Sequence, residues 1–115
     1  MKIRKFSRQD AVMERSPGQS GDILTGNLVD ERDGGPITIG YGRWGKNQRL
    51  ELTLAVDDVM ILLEGRLAVS FDGATVEAAA GDIVHMPKGE TVKIEAREET
   101  VTAYVTYPHW RIAEG

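Results

Sequence analysis

Three side chains are candidates for acid–base chemistry: Asp58, Glu51 and His85. Carboxylates and imidazoles move protons efficiently once burial or a neighbouring charge brings their pKa values toward neutrality. Asp58 follows a second acid, Asp57, at the start of an apolar run. It reads either as a pocket carboxylate that binds or protonates a small ligand, or as a strand-start residue satisfied by backbone N–H groups. Glu51 lies between Leu50 and Leu52, so it reaches a pocket only where those leucines face away from it; the parity of this segment stays open. His85 stands two residues before Pro87 and serves as a general base, or as a strand histidine held by an ordinary hydrogen bond. His109, beside Trp110, reads as surface packing. Tyr41, Trp44, Tyr104, Tyr107 and Trp110 are five of the seven aromatics. Together with Arg43 they would line a concave ligand site, or else pack at the mouth of the fold or between two copies of it. The substrate-pocket candidates are therefore Asp58, Glu51, His85, Tyr41, Arg43, Tyr104 and Trp110.

Other chemistries are excluded by residue type. There is no cysteine, which removes disulfides, thiol catalysis and thiolate-ligated metals together and suits a reducing compartment. No glycine loop ending in Lys-Ser/Thr, no His-Glu-x-x-His and no Gly-x-Ser-x-Gly occurs in the chain. Fourteen basic against eighteen acidic side chains give a net charge of −4, the wrong sign for a nucleic-acid binder. Lys2, Arg4, Lys5 and Arg8 form a small basic patch that reads as a solvated tail. The aliphatic run from Val59 to Leu63 falls far short of the ~20 residues that cross a bilayer. The N-terminus has basic residues with no apolar core after them, so it is not a secretory signal. A cytoplasmic location is the expectation.

The elements that must position these residues are short strands. The 115 residues fall below the roughly 150 of the usual length prior, so one domain is expected, with residues 1–20 as an arm or short helix packing on a β-barrel of residues 21–115. Glycines punctuate runs that alternate apolar and polar residues, the pattern of half-buried strands. Ile37 and Ile39 lead into Gly40-Tyr41-Gly42; Leu50, Leu52 and Leu54 alternate with Glu51 and Thr53. Val59 to Leu63 is continuously apolar, as in a strand covered on both faces. Leu67, Val69 and Phe71 alternate up to Asp72-Gly73, a favoured hairpin turn. Thr75 to Ala79, Ile83 to Met86, then Val92, Ile94 and Ala96, then Val101, Ala103 and Val105 continue the series. A short helix over residues 7–14, capped by Ser7, is possible. The charge run of residues 30–35 is predicted to be a solvated loop. The whole reads as an all-β sandwich or barrel.

On these residues the stretch 50–96 resembles the cupin superfamily of small jelly-roll barrels. Asp58, six residues, then Gly65 and later Asp72-Gly73 fit the first cupin motif; Gly81, five residues, then Pro87-Lys88-Gly89 fit the second. The glycines and Pro-x-Gly turn the chain between facing strands. The resemblance implies a single-domain cupin jelly-roll β-barrel. Metal-binding cupins carry two histidines ahead of the acidic ligand and one after Pro-x-Gly. Here those places hold Leu52 and Leu54, or Glu51 and Thr53, and Val92. Of the ligand set only Asp58 remains, so no metal and no cofactor is expected.

Within the superfamily the sequence is most similar to the EutQ-like group of ethanolamine-utilisation proteins, on Asp57-Asp58 to Gly65, Gly81 to Gly89, and Tyr104-Val105-Thr106-Tyr107-Pro108-His109-Trp110. That group also lacks the histidines and is linked to bacterial microcompartments and an acetate kinase-like activity. The reading is a metal-free cupin that binds a small polar metabolite in its barrel. One alternative is a small enzyme using barrel carboxylates, for phosphotransfer, isomerisation or elimination; Lys88 and Arg43 are its candidate phosphate-neutralising groups. Another is a dimeric assembly module. The partners expected are a small-molecule ligand and a second copy of the chain, since cupins of this size often pair by sharing strands, with no nucleic acid and no membrane.

Overall fold

A computed structural model describes residues 3–17, 19 and 21–110. The described strands are β1 (Glu14–Arg15), β2 (Ile23–Val29), β3 (Thr38–Trp44), β4 (Arg49–Thr53), β5 (Asp57–Glu64), β6 (Arg66–Phe71), β7 (Ala74–Ala79), β8 (Ile83–Met86), β9 (Thr91–Ala96) and β10 (Thr100–Tyr107). They form two antiparallel sheets, one in the order β1-β2-β3-β10-β5-β8 and one in the order β4-β9-β6-β7. The sheets face each other as a jelly roll whose seam between the edge strands β7 and β8 is open.

The inner faces follow the two-residue period of a strand. Met60 and Leu62 on β5, Leu67 and Val69 on β6, and Val92, Ile94 and Ala96 on β9 are all buried. Each large apolar side chain contributes about 1.5–3 kcal/mol by leaving water. On β5 the alternate residues Val59, Ile61 and Leu63 are half-buried on the outer face, which accounts for the unbroken apolar run. The turns follow their glycines. Asp72 and Gly73 both have positive φ (48° and 76°), as a two-residue hairpin requires. Gly65 has φ 85°, and a Cβ there would meet Thr100 Oγ1 at 2.5 Å and the backbone oxygen of Glu99. That glycine of the first motif therefore serves both the turn and the close approach of β10.

Three expectations for the connecting segments need correction. Residues 7–14 contain no α-helix; a single 3₁₀ turn, Arg8–Asp10, forms instead. The Asp10 carboxylate accepts the Ser7 backbone N–H at 2.6 Å, and the chain then runs on extended into β1. A Cβ at Gly26 would meet Ala11 Cβ at 2.9 Å and Met13 Sδ at 3.0 Å, so the arm packs directly on β2. The basic patch is not wholly a solvated tail, because Arg4 pairs with Asp33 and Arg8 with Glu64; Lys2 lies outside the described residues. The charge run 30–35 is not all surface either. Asp30 is buried and accepts from Arg32 Nε at 2.9 Å and Nη2 at 2.7 Å while capping the 3₁₀ turn Glu31–Asp33. A charge enters the interior here because a guanidinium fork closes over it. Among the described residues no helix is long and apolar enough to cross a membrane.

Candidate functional site

Between the sheets lies a hollow of about 90 Å³. Its two walls differ in chemistry. The four-stranded sheet and the segment after β4 supply Leu50, Leu52, Leu54 and Ile94. The six-stranded sheet supplies Thr25, Asp58, Thr102, Tyr104 and Thr106, with Met60 and Met86 beside them. Trp44 and Trp110 line it too. A water needs about 10–15 Å³ of such space, so the hollow has room for roughly six water-sized groups. It is smaller than the ~300–1,000 Å³ pockets that take drug-sized ligands.

The lumen-facing leucines resolve the parity of β4. Leu50 and Leu52 point inward, so Glu51 points outward, across from Lys93 in register and 4.0 Å from its Nζ. Glu51 is not a lumen residue. Asp58 is one: it sits opposite Thr106 on β10 and Met86 on β8. Its neighbour Asp57 takes the backbone contact, accepting Lys88 N–H at 2.9 Å. His85 alternates with the inward Val84 and Met86 and is exposed on the rim of the β7–β8 seam, away from the lumen.

The aromatic candidates divide in the same way. On β3 the inward positions are Thr38, Gly40, Gly42 and Trp44, so Tyr41 and Arg43 lie on the outer face. Arg43 donates to Glu99 Oε1 through Nε at 3.0 Å and Nη2 at 2.8 Å, and that pairing raises its already high pKa. Tyr107 is exposed at the strand end. His109 bridges Thr38 Oγ1 at 2.8 Å and the Gly35 carbonyl at 2.7 Å, tying the chain after β10 to the start of β3. Tyr104 and Trp110 do line the lumen, and both donate to Asn27 Oδ1, Trp110 from Nε1 at 3.1 Å. The structure thus brings together Asp58, Tyr104 and Trp110, and leaves Glu51, His85, Tyr41 and Arg43 outside.

Several lumen residues escape a reading by residue type. Thr25, Thr102 and Thr106 carry hydroxyls into the lumen, and Asn27 sits behind two of its aromatics. The available signal was the row Thr100, Thr102, Tyr104, Thr106 at alternate positions of β10. Its opposite parity, Val101, Ala103 and Val105, is more apolar but faces outward. Thr25 Oγ1 and Asn27 Nδ2 are buried with no hydrogen-bond partner among the described residues.

The places of the three cupin histidines are now visible. Leu52 and Leu54 line the lumen and Val92 is buried in the core. Aliphatic side chains carry no lone pair for a metal, and one carboxylate is too few donors to hold a divalent transition ion. The residues present do not fit the usual cupin metal, and among the described residues no cluster of three His, Asp or Glu side chains is placed to hold one.

Comparison with known proteins agrees with this architecture. The family described as Ethanolamine utilisation protein EutQ matches residues 1–111. Acetate kinase EutQ of Salmonella typhimurium is 33% identical over 108 residues, which is 93% of this chain and 44% of that protein. The chain therefore spans less than half the length of the curated relative it matches. A Rhizobium leguminosarum protein of unknown function superposes with a TM-score of 0.79 at 55% identity, covering 95% of this chain and 100% of that one. The Salmonella typhimurium EutQ crystal structure gives 0.71 at 32% identity, over 76% of this chain and 70% of that one. An RmlC-like cupin of Shewanella frigidimarina, 14% identical with a TM-score of 0.74, shares the fold over 94% of this chain and 92% of that one.

Proposed function

Since the chain belongs to the EutQ family of ethanolamine-utilisation proteins and folds as a cupin, we propose that it is a ligand-binding cupin that takes a small polar metabolite into the lumen between its sheets. The observation that carries this reading is the two-sided lumen: Asp58 and the Thr25, Thr102 and Thr106 hydroxyls on one wall face Leu50, Leu52 and Leu54 on the other. Such a cavity orients a small molecule by its polar end and holds its carbon chain by burial. We place its action in the cytoplasm, consistent with a chain that uses no cysteine.

The name acetate kinase belongs to relatives more than twice as long as the stretch matched here. Phosphotransfer requires cationic groups around the moving phosphoryl. Among the described residues lining the lumen there is no Lys or Arg. Of the two groups considered for that role, Arg43 is committed to Glu99 on the outer surface, and Lys88 lies in the exposed turn after β8. Binding is accordingly the reading the site supports.

We also propose that two copies pair through the outer face of the six-stranded sheet. Tyr41, Ala103, Ile61 and Ile83 lie in one row across four adjacent strands, and Ile39, Val105 and Val59 in the next. Apolar rows of this kind on a sheet face favour a matching surface over water.

The experiment is a thermal-shift screen of the purified chain against small amines, alcohols, acids and nucleotides, run in parallel with Leu52→Trp, which fills the lumen. A ligand that raises Tm for the native chain and not for the filled variant is expected. Complete indifference of the native chain to the library overturns the reading.

A further inference from the structure

The seam between β7 and β8 is a second concave surface, separate from the lumen and built of different groups. We propose that it docks an extended, basic segment of a partner protein, which adds to β7 as a further strand of the four-stranded sheet.

The backbone is the first argument. β7 and β8 each end a sheet, and among the described residues the two are not paired with one another. The Asp82 carboxylate accepts the Ala79 N–H at 2.8 Å, and the Asp82 N–H donates to the Ala79 carbonyl at 2.9 Å. Both polar groups of Ala79 therefore point away from β6, toward the seam. Successive strand residues alternate in this respect. The N–H and C=O of Glu77 and Thr75 point the same way as those of Ala79, while Val76 and Ala78 turn theirs to β6. Residues 74–77 are exposed. Their strand, Ala-Thr-Val-Glu-Ala-Ala, carries none of the lysines, prolines or register shifts that blunt an edge. A strand laid along it gains main-chain hydrogen bonds at two residues.

The groove is the second argument. It measures about 630 Å³, and its floor reaches the core residues Val69, Met86 and Val92. Phe71 and Val76 line it at 38% and 44% exposure, apolar surface that an added strand would cover. Val76 lies opposite the inward-facing Val69. Every second residue of the added strand therefore faces the apolar floor.

Charge identifies the occupant. Asp72 stands in the turn before β7, Glu77 on it, Asp82 in the turn after it, and Glu90 in the turn before β9. All four are exposed and line the groove. Glu77 also meets Arg97 at 3.5 Å, with both side chains about half exposed. A segment that alternates apolar and basic residues fits the floor with one set and the carboxylates with the other. Opposite charges across a strand pair are favourable and like charges are not, so a second β7 laid on this edge would meet its own acids.

The test is an amide-resolved NMR titration of the intact chain with three acetylated and amidated hexapeptides. They are Lys-Val-Lys-Val-Lys-Val, its acidic counterpart Glu-Val-Glu-Val-Glu-Val, and Lys-Val-Lys-Pro-Lys-Val, which keeps the charge and loses one N–H. The first should give saturable shifts at residues 74–79 with slowed amide exchange at Thr75 and Glu77. The other two should bind at least about tenfold more weakly. Equal binding by the proline peptide means charge attraction without strand pairing and overturns the proposal, and equal binding by the acidic peptide does the same for the basic occupant. Shifts centred on Leu52, Asp58 and Thr102 give the peptide to the lumen, and total silence removes the docking site. Peptide-free shifts at residues 74–79 that grow with protein concentration give the edge to a second copy; each of these also overturns it. Val76→Lys puts on the edge the charge it lacks and should abolish binding. Glu77→Gln should weaken the basic peptide by about threefold, and unchanged affinity in that variant contradicts the charge argument. Should Val76→Lys not fold, Glu77→Gln and the native titration still decide.

Discussion

The rings of Tyr104 and Trp110 meet edge to face, with centroids 6.3 Å apart and planes at 88°, and their polar ends converge on one atom, Asn27 Oδ1. A strand near the N-terminus thereby anchors two aromatics from the C-terminal end of the chain. Replacing Asn27 with Ala takes that acceptor from both buried donors. With about 1–3 kcal/mol for each donor that loses this acceptor, the expected loss is about 2–6 kcal/mol. In a domain of this size that lowers Tm by roughly 10 °C or more. Tyr104→Phe removes only one donor and should cost about 1 kcal/mol. Thermal unfolding of the two variants checks the ordering; equal losses would mean that the shared acceptor is not what holds the pair.

The strands from β3 to β10 were legible because their apolar residues alternate and their turns carry Gly, Asp-Gly or Pro-x-Gly. β2 was not, since its sequence Ile-Leu-Thr-Gly-Asn-Leu-Val has no clean alternation and contains two poor strand formers. The site was harder for a related reason. In a protein whose lumen is partly polar and whose outer sheet face is apolar, hydrophobicity does not tell inside from outside. On β10 the threonines face in and the valines out. On β3 the inward Gly40 and Gly42 have no side chains to mark the inner face, so Tyr41 and Arg43 drew attention although they point the other way. Asp58 was found because a motif fixes its place. The Leu50–Leu52–Leu54 parity needed the facing sheet, which only three-dimensional structure supplies.

Gly40 gives the Tyr104 ring its room. A Cβ built there would lie 2.6 Å from Tyr104 Cζ and would press on the backbone oxygen of Gly26. Neither the β2 backbone nor a ring tethered to Asn27 yields readily. Gly40→Ala should destabilise by about 1–3 kcal/mol, the usual cost of overpacking, and should displace the indole N–H resonance of Trp110. Denaturant unfolding with a proton–nitrogen spectrum measures both. A native-like midpoint together with an unmoved indole signal contradicts the packing described.

Asp33 sets an acid-side limit on the arm. Its carboxylate accepts the Asp30 backbone N–H, and secondly pairs with Arg4, and the two hold its pKa below the ordinary 3.8. A group whose folded pKa is depressed adds stability above its unfolded pKa and loses that share as pH falls through the folded value. The native chain should therefore exceed Asp33→Asn in urea midpoint at pH 7, with the gap closing below about pH 3.8. Because the pair is exposed, added salt should also narrow the gap at neutral pH. A gap independent of pH would assign the effect to the turn and not to charge.

Ile61 occupies the middle of the apolar row on the six-stranded sheet, between Ala103 on β10 and Ile83 on β8. Its side chain points away from the lumen, so a charge there leaves the core of Met60 and Leu62 untouched. In a dimer joined by this face, Ile61→Glu would bury a carboxylate on each side of the symmetry axis with no cation opposite, a cost that separates the subunits. Light scattering at micromolar concentration should give twice 12.6 kDa for the native chain and close to 12.6 kDa for the variant, with the far-ultraviolet circular dichroism unchanged. A native chain that already scatters as a monomer removes the pairing. A variant that remains dimeric moves the interface to another surface, with the open β7–β8 seam the next to examine because it offers two unpaired strand edges.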